Sequence, residues 1–378
     1  MSQSEIQASE RDATDPNKHL SQRKPEATNE FDQPQKGISL SRDAWNRLKK
    51  HKLAMAGLVV VVFYALISLL APILPIHSYR FQVPAHAHLP PSLTKTAGEL
   101  WYEKELTYMQ RLNESQDVDG LTEEQRTKLA EIRERIETET AVIDGEEVMV
   151  HERRYIMGTD YIGRDLMARI IYGGQVSIAV GLIGTITSVL IGIILGAIAG
   201  YVGGSTDYII MRVVDVMYGL PYIMLVIIFM AVLGRGILNL YVALALVSWL
   251  TVARVVRGQI ISLKNSEFVE AARTMGASPA RIMFRHLVPN TLGVIIVFST
   301  LRIPTFIMTE AFLSFLGLGI SAPFASWGSL VGEAVEGMSN YWWRLFFPAA
   351  AMTLFLFAMN FLGDGLRDAF DPHSKNTL

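Results

Sequence analysis

The chain has no cysteine among its 378 residues. This absence excludes disulfides, thiolate metal sites and cysteine nucleophiles, and it leaves the redox compartment of the protein undetermined. The chain also has no excess of charge of one sign, because 34 Lys and Arg residues balance 36 Asp and Glu residues. Net charge therefore does not indicate a nucleic-acid partner, and we expect none.

Motifs for catalysis are missing as well. The sequence contains no phosphate loop of the form G-x-x-x-x-G-K-[ST], no H-E-x-x-H and no G-x-S-x-G. We therefore expect neither ATP hydrolysis nor intramembrane hydrolysis by this chain, and we predict no catalytic residue and no metal site. His86 and His88 flank Ala87 in a Pro-rich stretch. We interpret them as solvated loop residues, because an H-x-H pair without further donors is a weak metal site.

The first 44 residues contain little that could form a core. They include a single aromatic residue, Phe31, and no apolar run, and this composition predicts a disordered tail. A secretory signal needs a basic start followed at once by an apolar segment, and the tail has no such arrangement. We therefore expect the first apolar segment to be retained as a membrane anchor.

What the chain has in abundance is apolar sequence. Half of its residues are hydrophobic and the mean hydropathy is +0.28, which indicates a membrane protein. A helix that crosses the hydrocarbon core needs roughly 20 apolar residues. Runs of this kind predict an all-α polytopic membrane protein with six transmembrane helices: Leu53–Ile76, Ile170–Thr206, Val216–Gly234, Gly236–Ala253, a stretch within Asn290–Leu318, and Leu345–Gly363.

Basic residues next to these runs predict the orientation, because Lys and Arg are enriched in short cytoplasmic loops. One group lies directly before the first run and another lies between the fourth and fifth runs, whereas Arg235 is the main exception on the opposite side. Both termini are therefore expected in the cytoplasm. The two basic groups are Arg47, Lys49, Lys50 and Lys52, and then Arg254, Arg257, Lys264, Arg273, Arg281 and Arg285.

The segment between the first two runs is soluble in character. Residues 89–155 contain 16 acidic and nine basic residues, and apolar residues at helical spacing predict two helices. Thr122 with Gln125 predicts a capping box at the start of the second helix, and Asp144-Gly145 predicts a tight hairpin turn. Two interpretations remain open, namely a solvated extracytoplasmic excursion and a docking surface for a partner.

The most informative segment is the cytoplasmic loop at residues 264–290. Ser266 is expected to cap a helix whose first turn contains Glu267 and Glu270. Gly276 is expected to stop this helix, and Ser278 with Pro279 to start a second one that Pro289 ends before the next span. The apolar face that we predict for the first helix, Phe268, Ala271, Ala272 and Met275, needs a partner protein or the lipid surface to bury it.

This loop resembles the EAA signature of the permeases of binding-protein-dependent ABC importers. The matching residues are Glu270, Ala271, Ala272, Gly276, Ala277, Ser278 and Pro289. In that family the loop couples the permease to a separate ATPase subunit, and we expect the same role for these residues. Two positions depart from the pattern, because His286 stands where Ile is common and Val288 where Leu is common.

Further motifs are similar to the dipeptide, oligopeptide and nickel branch of the family, and the C-terminal sequence is similar to its C-type permease subunit. The resemblance covers about residues 45–80 and 154–372, and the segment between is an insertion that the pattern does not explain. The motifs are Gly158-Thr159-Asp160, Gly163-Arg164-Asp165, residues 199–204, residues 315–319, Trp327-Gly328, and residues 363–368 with Asp371-Pro372.

The resemblance implies the type I ABC importer permease fold and one half of a peptide translocation pathway in the bacterial inner membrane. Nickel, glutathione or another small solute is the alternative cargo. The implied partners are a B-type permease subunit, one or two ABC ATPase subunits that bind ATP and Mg, and an extracytoplasmic solute-binding protein. The expected organisation is a disordered cytoplasmic tail (1–44), a region with the first helix (45–80), an extracytoplasmic insertion (81–155), a permease core (156–372) with the coupling loop (264–289), and a short cytoplasmic tail (373–378).

Polar residues inside the spans are further candidates. Arg212 and Asp215 are spaced to meet on one helix face as a structural ion pair or a proton relay. Arg302 and Glu310 are expected to face the bundle interior or a partner subunit, as candidates for lining a pathway. Glycines 192, 196 and 200 predict close helix packing, with a partner permease as one candidate for the contact. A secondary transporter or channel is the hypothesis from another class, but its internal repeats are not found here.

Overall fold

A computed structural model describes residues 40–143, 145–320 and 322–370. The predicted tails therefore lie outside the described residues except for 40–44, and so do Asp144 of the predicted hairpin turn and the Asp371-Pro372 motif. The chain divides into a unit up to Asp43 and a unit from Ala44 onward. Of the first unit only residues 40–43 are described, and they form the first turn of a helix that begins at Leu40.

The described residues are mostly helical. In chain order the elements are α1 (Leu40–Leu48), α2 (Lys52–Leu69), a 3-10 turn (Pro84–His86), α3 (Ala97–Ser115), α4 (Glu123–Thr138), β1 (Thr140–Ile143), β2 (Glu146–Met149), α5 (Leu166–Val202), α6 (Gly204–Tyr218), α7 (Tyr222–Leu233), α8 (Ile237–Leu263), α9 (Glu267–Thr274), α10 (Pro279–Arg281), a π-helical turn (Ile282–Leu287), α11 (Val288–Phe315), α12 (Trp327–Val335) and α13 (Trp343–Phe370).

Five helices are long and apolar enough to cross a membrane, and a sixth span is present if α6 and α7 are counted together. The five are α2, α5, α8, the continuous helix Pro279–Phe315, and α13. This confirms the polytopic helical class. The predicted span Val216–Gly234 is not one continuous helix, because α6 and α7 meet within it at an angle of 91°. Pro221 explains the break, since it lacks a backbone N–H and disfavours a helical conformation at Leu220.

The centre of the bundle is the contact between α5 and α8. Gly192, Gly196 and Gly200 lie where a side chain would collide with α8, and a Cβ atom at Gly196 would lie 2.5 Å from the carbonyl oxygen of Ala253. The small residues let the two backbones approach closely. The predicted packing role of these glycines is confirmed, and the surface that they contact belongs to the same chain.

α12 is fixed against α5 by a buried tryptophan. The indole N–H of Trp327 donates to the carbonyl of Ile170 over 2.9 Å, and its backbone N–H donates to the hydroxyl of Ser177 over 3.0 Å. The side chain also contacts the rings of Tyr64 and Phe355. Because Trp327 is only 1% exposed, it links α2, α5, α12 and α13 in one core.

The segment between α2 and α5 folds around its own small core. The predicted capping box is confirmed, since Thr122 and Gln125 exchange hydrogen bonds at the start of α4, and α3 begins with a second box between Thr96 and Glu99. β1 and β2 pair in antiparallel register, as the hairpin prediction required. The core contains Leu89, Ala97, Leu100, Trp101, Ile132 and Tyr155.

A chain of hydrogen-bonded side chains lies next to this core. His86 is fully buried, with Nδ1 3.0 Å from the hydroxyl of Tyr155 and Nε2 2.8 Å from Nδ1 of His151. Burial, together with the neighbouring His151, Arg153 and Lys104, lowers the pKa of His86 to about 3. The interpretation of His86 as a solvated loop residue was therefore wrong.

His88 is partly buried and also has a defined environment. Its ring stacks on Tyr341 with the centroids 4.0 Å apart, and Nδ1 lies 3.2 Å from the guanidinium of Arg344. Across the described parts of the chain, no three metal-binding side chains form a group that could hold an ion.

Candidate functional site

The loop after α8 begins with α9, which starts where the sequence predicts. Ser266 occupies the position before the first helical residue, and Glu267 and Glu270 lie in the first turn. The hydroxyl of Ser266 does not cap the helix but donates to the carbonyl of Leu263 over 2.6 Å. The predicted boundary is therefore right, whereas the predicted capping hydrogen bond was wrong.

The turn that follows α9 has the predicted geometry. Gly276 has a φ of +78°, a left-handed conformation that glycine adopts without steric cost. Ser278 then accepts a hydrogen bond from the backbone N–H of Arg281 over 3.4 Å, and Pro279 is the first residue of the next helical segment. Helix, left-handed turn and helix thus follow each other as the sequence predicts.

Pro289 does not end the second helix, contrary to the prediction. It lies in the first turn of α11, inside a helix that runs without interruption from Pro279 to Phe315. The π-helical turn Ile282–Leu287 directly precedes it. A π-helical turn changes the hydrogen-bond pattern, which accommodates a residue without an N–H inside a continuous helix.

The inner face of the loop is anchored on the same chain. Val269, Ala272, Ile282 and Leu287 are buried and pack in one cluster with Ala197 of α5 and with Val252, Val256 and Ile260 of α8. Ala272 therefore does not belong to the exposed apolar face that the sequence predicts. Because these side chains are removed from water, the loop is held on the bundle by apolar burial.

The outer face of the loop is exposed and partly apolar. Phe268 is 38% exposed, Met275 is 80% exposed, and Ala271, Glu267 and Glu270 lie on the same surface. The side chain of Phe284 extends this surface into the second helical segment. A projecting apolar group on an anchored helix is typical of a surface that binds another protein. We call this surface, formed by Glu267, Phe268, Glu270, Ala271, Met275 and Phe284, the coupling face.

Ion pairs brace α6 against α8 next to the loop. Arg257 contacts Asp207 with Nε–Oδ1 and Nη2–Oδ2 distances of 2.5 and 2.6 Å. Asp215 pairs with Arg254 over 2.7 Å. The predicted pair between Arg212 and Asp215 was therefore wrong.

Arg212 lies near an aromatic residue instead. Its guanidinium donates to the hydroxyl of Tyr208 over 2.9 Å and lies over the ring of that residue. Residues three apart on a helix can meet, but the carboxylate of Asp215 contacts Arg254 of α8 instead.

The two polar residues of α11 have different surroundings. Glu310 is fully buried, and one carboxylate oxygen accepts hydrogen bonds from the hydroxyls of Ser314 and Ser326, each over 2.6 Å. Its second oxygen has no hydrogen-bond partner among the described residues. Arg302 lies two turns earlier and lines a cavity of about 270 Å³ beside the break between α6 and α7. The two side chains therefore do not form one site.

The cavity was not predicted from the sequence, because the break in the third span was not predicted. Tyr218, Tyr222 and Thr251 line the cavity together with Arg302. The sequence contains a signal for the break between α6 and α7, since Gly219-Leu220-Pro221 combines two residues that interrupt helices.

Comparison with known proteins decides the family. The family model described as "binding-protein-dependent transport system inner membrane component" matches residues 192–376, and the model for the N-terminal transmembrane domain of oligopeptide transport permease C matches residues 39–91. The dipeptide transport system permease protein DppC of Bacillus subtilis (strain 168) is 40% identical over 336 residues, which are 89% of this chain and 86% of the relative. The chain belongs to this family of inner membrane transport components.

Two further relatives agree with this assignment. The oligopeptide transport system permease protein OppC of the same Bacillus subtilis strain is 36% identical, with 89% of this chain and 91% of the relative covered. The OppC protein of Haemophilus influenzae is 45% identical over 224 residues, which are 59% of this chain and 72% of the relative. The longer family match includes the coupling face, Arg302 and Glu310, whereas residues 92–191 lie outside both family matches.

Proposed function

We propose that this chain is the permease subunit of an ATP-driven ABC importer and forms half of a translocation pathway for peptides across the bacterial inner membrane. Its partners would be a second permease of the B type, one or two ABC ATPase subunits that bind ATP and Mg, and an extracytoplasmic solute-binding protein. Support for peptides as cargo comes from the dipeptide and oligopeptide permeases named above, which are similar to this chain over most of its length.

The observation that carries the proposal is the two-sided construction of the loop at residues 264–289. Its inner face is buried on α5 and α8, and its outer face exposes Phe268 and Met275 beside Glu267 and Glu270. An apolar group that is left in water on an anchored helix is stabilised when a partner covers it. We infer that the partner is the ATPase, with the coupling face inserted into a groove of that subunit.

The coupling follows from the continuity of the helix after the turn. Because Pro279–Phe315 is one helix, movement of the coupling face would be passed along α11 toward Arg302 and Glu310. Closure of two ATP-bound ATPase subunits would pull the loop, and the spans would rock to expose a central cavity to the outside. Glu270 and Gly276 are the residues whose substitution is expected to uncouple hydrolysis from transport.

Orientation and the role of the insertion belong to the same proposal. We place both termini and the loop in the cytoplasm, because the basic residues cluster next to them. Residues 81–155 would then form an extracytoplasmic insertion that contacts the binding protein. The backbone N–H of Ala97 donates to the carbonyl of Arg153 over 2.7 Å, so the two sides of residues 98–151 lie close together and a short linker can join them in a deletion variant.

The insertion is tested by comparing the deleted and the full-length importer. Weaker association with the binding protein, together with unchanged basal ATPase activity, is expected if the insertion is a docking surface. Equal association would leave only a spacer role for this segment.

The coupling face is tested by Met275→Ser in the assembled, reconstituted importer. Loss of a buried methionine is expected to cost about 2 kcal/mol of association free energy, so the ATPase should co-purify more weakly and its stimulation by the loaded binding protein should fall. Met338→Ser is the matched control, because Met338 is 50% exposed outside the coupling face. Equal ATPase association in both variants would contradict the proposal.

The cargo is tested in the same proteoliposomes. ATP-dependent uptake of a labelled dipeptide or oligopeptide is expected. Uptake of nickel or glutathione but not of peptides would contradict peptides as the cargo and would leave the coupling proposal intact. ATP-independent uptake would favour a secondary transporter.

A further inference from the structure

The break between α6 and α7 creates a cavity inside the membrane-spanning part of the chain. Its volume is about 270 Å³, and its wall combines tyrosines at the break with apolar residues of α7 and α8 and with Arg302 of α11. Small-molecule sites usually range from about 300 to 1,000 Å³. A cavity of this size can therefore hold the end of a peptide but not a whole one.

Arg302 carries the only formal charge among the described residues that line this cavity. Its Nε is buried and has no hydrogen-bond partner in the described parts of the chain. The guanidinium carbon lies 5.7 Å from the centre of the Phe306 ring one turn further along α11. An arginine prefers a carboxylate or phosphate as its planar, two-pronged partner, and nothing in the cavity wall supplies one.

Three other arginines in the membrane-spanning helices differ from Arg302 in this respect. Arg169 contacts Asp160 and Glu333, Arg254 contacts Asp215, and Arg257 contacts Asp207. The pairing satisfies these charges inside the chain, so their roles are explained by structure alone. Within the described ranges, no pairing with a carboxylate of this kind explains the presence of Arg302 in α11.

The depth of Arg302 makes an unpaired charge costly. It lies 14 residues after the first residue of α11 and 13 before the last, or roughly 20 Å from each end at 1.5 Å per residue. A charge near the middle of a membrane costs several kcal/mol unless it pairs or faces a water-filled space. Arg302 is therefore a candidate for contact with the molecule that is transported through the membrane.

The hydroxyl groups of the cavity are already used. The hydroxyl of Tyr218 lies 2.6 Å from that of Thr251, and the hydroxyl of Tyr222 lies 3.1 Å from that of Ser248. These contacts fix both tyrosine rings at the break. Arg302 is left as the group in the wall that can recognise an anion, while Leu225 and Val247 offer apolar surface beside it.

We propose that Arg302 binds the C-terminal carboxylate of the transported peptide in this cavity during translocation. The guanidinium would form charge-assisted hydrogen bonds with the carboxylate, and Leu225 and Val247 would contact the adjoining side chain. The inference rests on the proposed peptide cargo. If Arg302 recognises the C-terminal carboxylate, the permease itself should bind a peptide with an amidated C-terminus poorly.

The test measures binding to the assembled importer without its binding protein, which removes the selectivity of that subunit. Equilibrium dialysis compares a dansyl-labelled tripeptide that has a free carboxylate with the same tripeptide as its C-terminal amide. The native complex is expected to bind the acid at least tenfold more tightly, because a hydrogen bond to a charged group is lost with the amide. Arg302→Gln should remove this difference, and Arg302→Lys should retain part of it. Arg235→Gln is the matched control, since Arg235 is an exposed residue between α7 and α8.

Three results would overturn the inference. They are equal binding of acid and amide by the native complex, no binding of either peptide, and a preference for the acid that survives Arg302→Gln. ATP-dependent uptake by the same preparation with its binding protein is the independent control. If uptake is normal and one of these results is found, only the role of Arg302 fails. If the native importer takes up no peptide, the proposed function fails as well.

Discussion

The guanidinium of Arg169 forms two hydrogen bonds with the carboxylate of Glu333, at 2.7 and 3.1 Å, across 164 residues of sequence. The same guanidinium lies 2.7 Å from the carboxylate of Asp160, which also binds Arg164 over 2.6 Å. Arg169 is 1% exposed. This network ties the segment before α5 to α12, so that the Gly-Thr-Asp and Gly-Arg-Asp motifs have a structural role.

Asp160→Asn is expected to destabilise the protein by about 3 to 5 kcal/mol, because it leaves two buried arginines short of a negative charge. The carboxylate also accepts the backbone N–H groups of Ile162 and Arg164. Thermal unfolding of the purified complex measures the effect. Asp119→Asn, at an exposed position of the insertion, is the control and should leave Tm unchanged. A similar Tm for both variants would contradict the role of the network.

Gly196→Ala is expected to destabilise the contact between α5 and α8 by about 1 to 3 kcal/mol, because the added methyl group overpacks it. Its Cβ would lie 2.5 Å from the carbonyl oxygen of Ala253 and 2.9 Å from Cβ of Val256. Gly258→Ala is the matched control, since nothing lies within 4 Å of a Cβ atom there. That variant should gain up to about 1 kcal/mol from helix propensity. Thermal unfolding should therefore move in opposite directions for the two variants.

Gly276→Val should impair coupling through backbone strain alone. The φ of Gly276 is +78°, and a Cβ atom at this position would have no neighbour within 4 Å. The cost of a β-branched residue is therefore the left-handed conformation, about 1 to 2 kcal/mol. Gly276→Asn should be better tolerated, because asparagine adopts this conformation more readily. ATPase stimulation by the loaded binding protein is the measurement. Equal loss in both variants would show that the conformation is not what matters.

Acidification is expected to destabilise the segment between α2 and α5 through His86. Its pKa is lowered to about 3 in the folded protein by burial and by His151, Arg153 and Lys104, against about 6.5 in the unfolded chain. Between these values the unfolded state binds more protons, so stability falls as the pH falls. The loss reaches about 2 kcal/mol at pH 5.

Hydrogen exchange of the amides in α3 measures this effect in the full-length protein at pH 7 and pH 5, with the amides of α8 as the internal reference. His86→Gln removes the titrating group and should flatten the pH dependence of α3. If exchange in α3 of His86→Gln depends on pH as strongly as in the native chain, a group other than His86 is responsible for the pH dependence.

Much of the fold could be predicted where local sequence decides structure. The capping box of Thr122 and Gln125 depends on residues three apart, and the turn at Gly276 depends on a single glycine, so both were found. The buried face of the loop could not be found in this way. Ala272 and Val269 lie in the helix that ends just before Met275, and only the positions of α5 and α8 determine which of these residues are covered.

Long-range pairs were the main failure. The sequence places Arg212 three residues from Asp215, yet Asp215 pairs with Arg254, 39 residues away. His86 and His151 are separated by 65 residues, and their contact depends on the fold of the whole segment between α2 and α5. The candidate site was therefore predictable as a loop, whereas the cavity around Arg302 required the bend at Pro221 to be known.

The uninterrupted helix from Pro279 to Phe315 has a mechanical consequence. At 1.5 Å per residue its 37 residues extend about 55 Å, and Arg302 lies roughly 35 Å along it from Pro279. If this helix moves as one unit, a pivot of about 5° at its loop end carries Arg302 sideways by about 3 Å. That displacement matches the length of one hydrogen bond, so a small rotation far from the cavity would be enough to make or break the hydrogen bonds that we propose between Arg302 and a carboxylate.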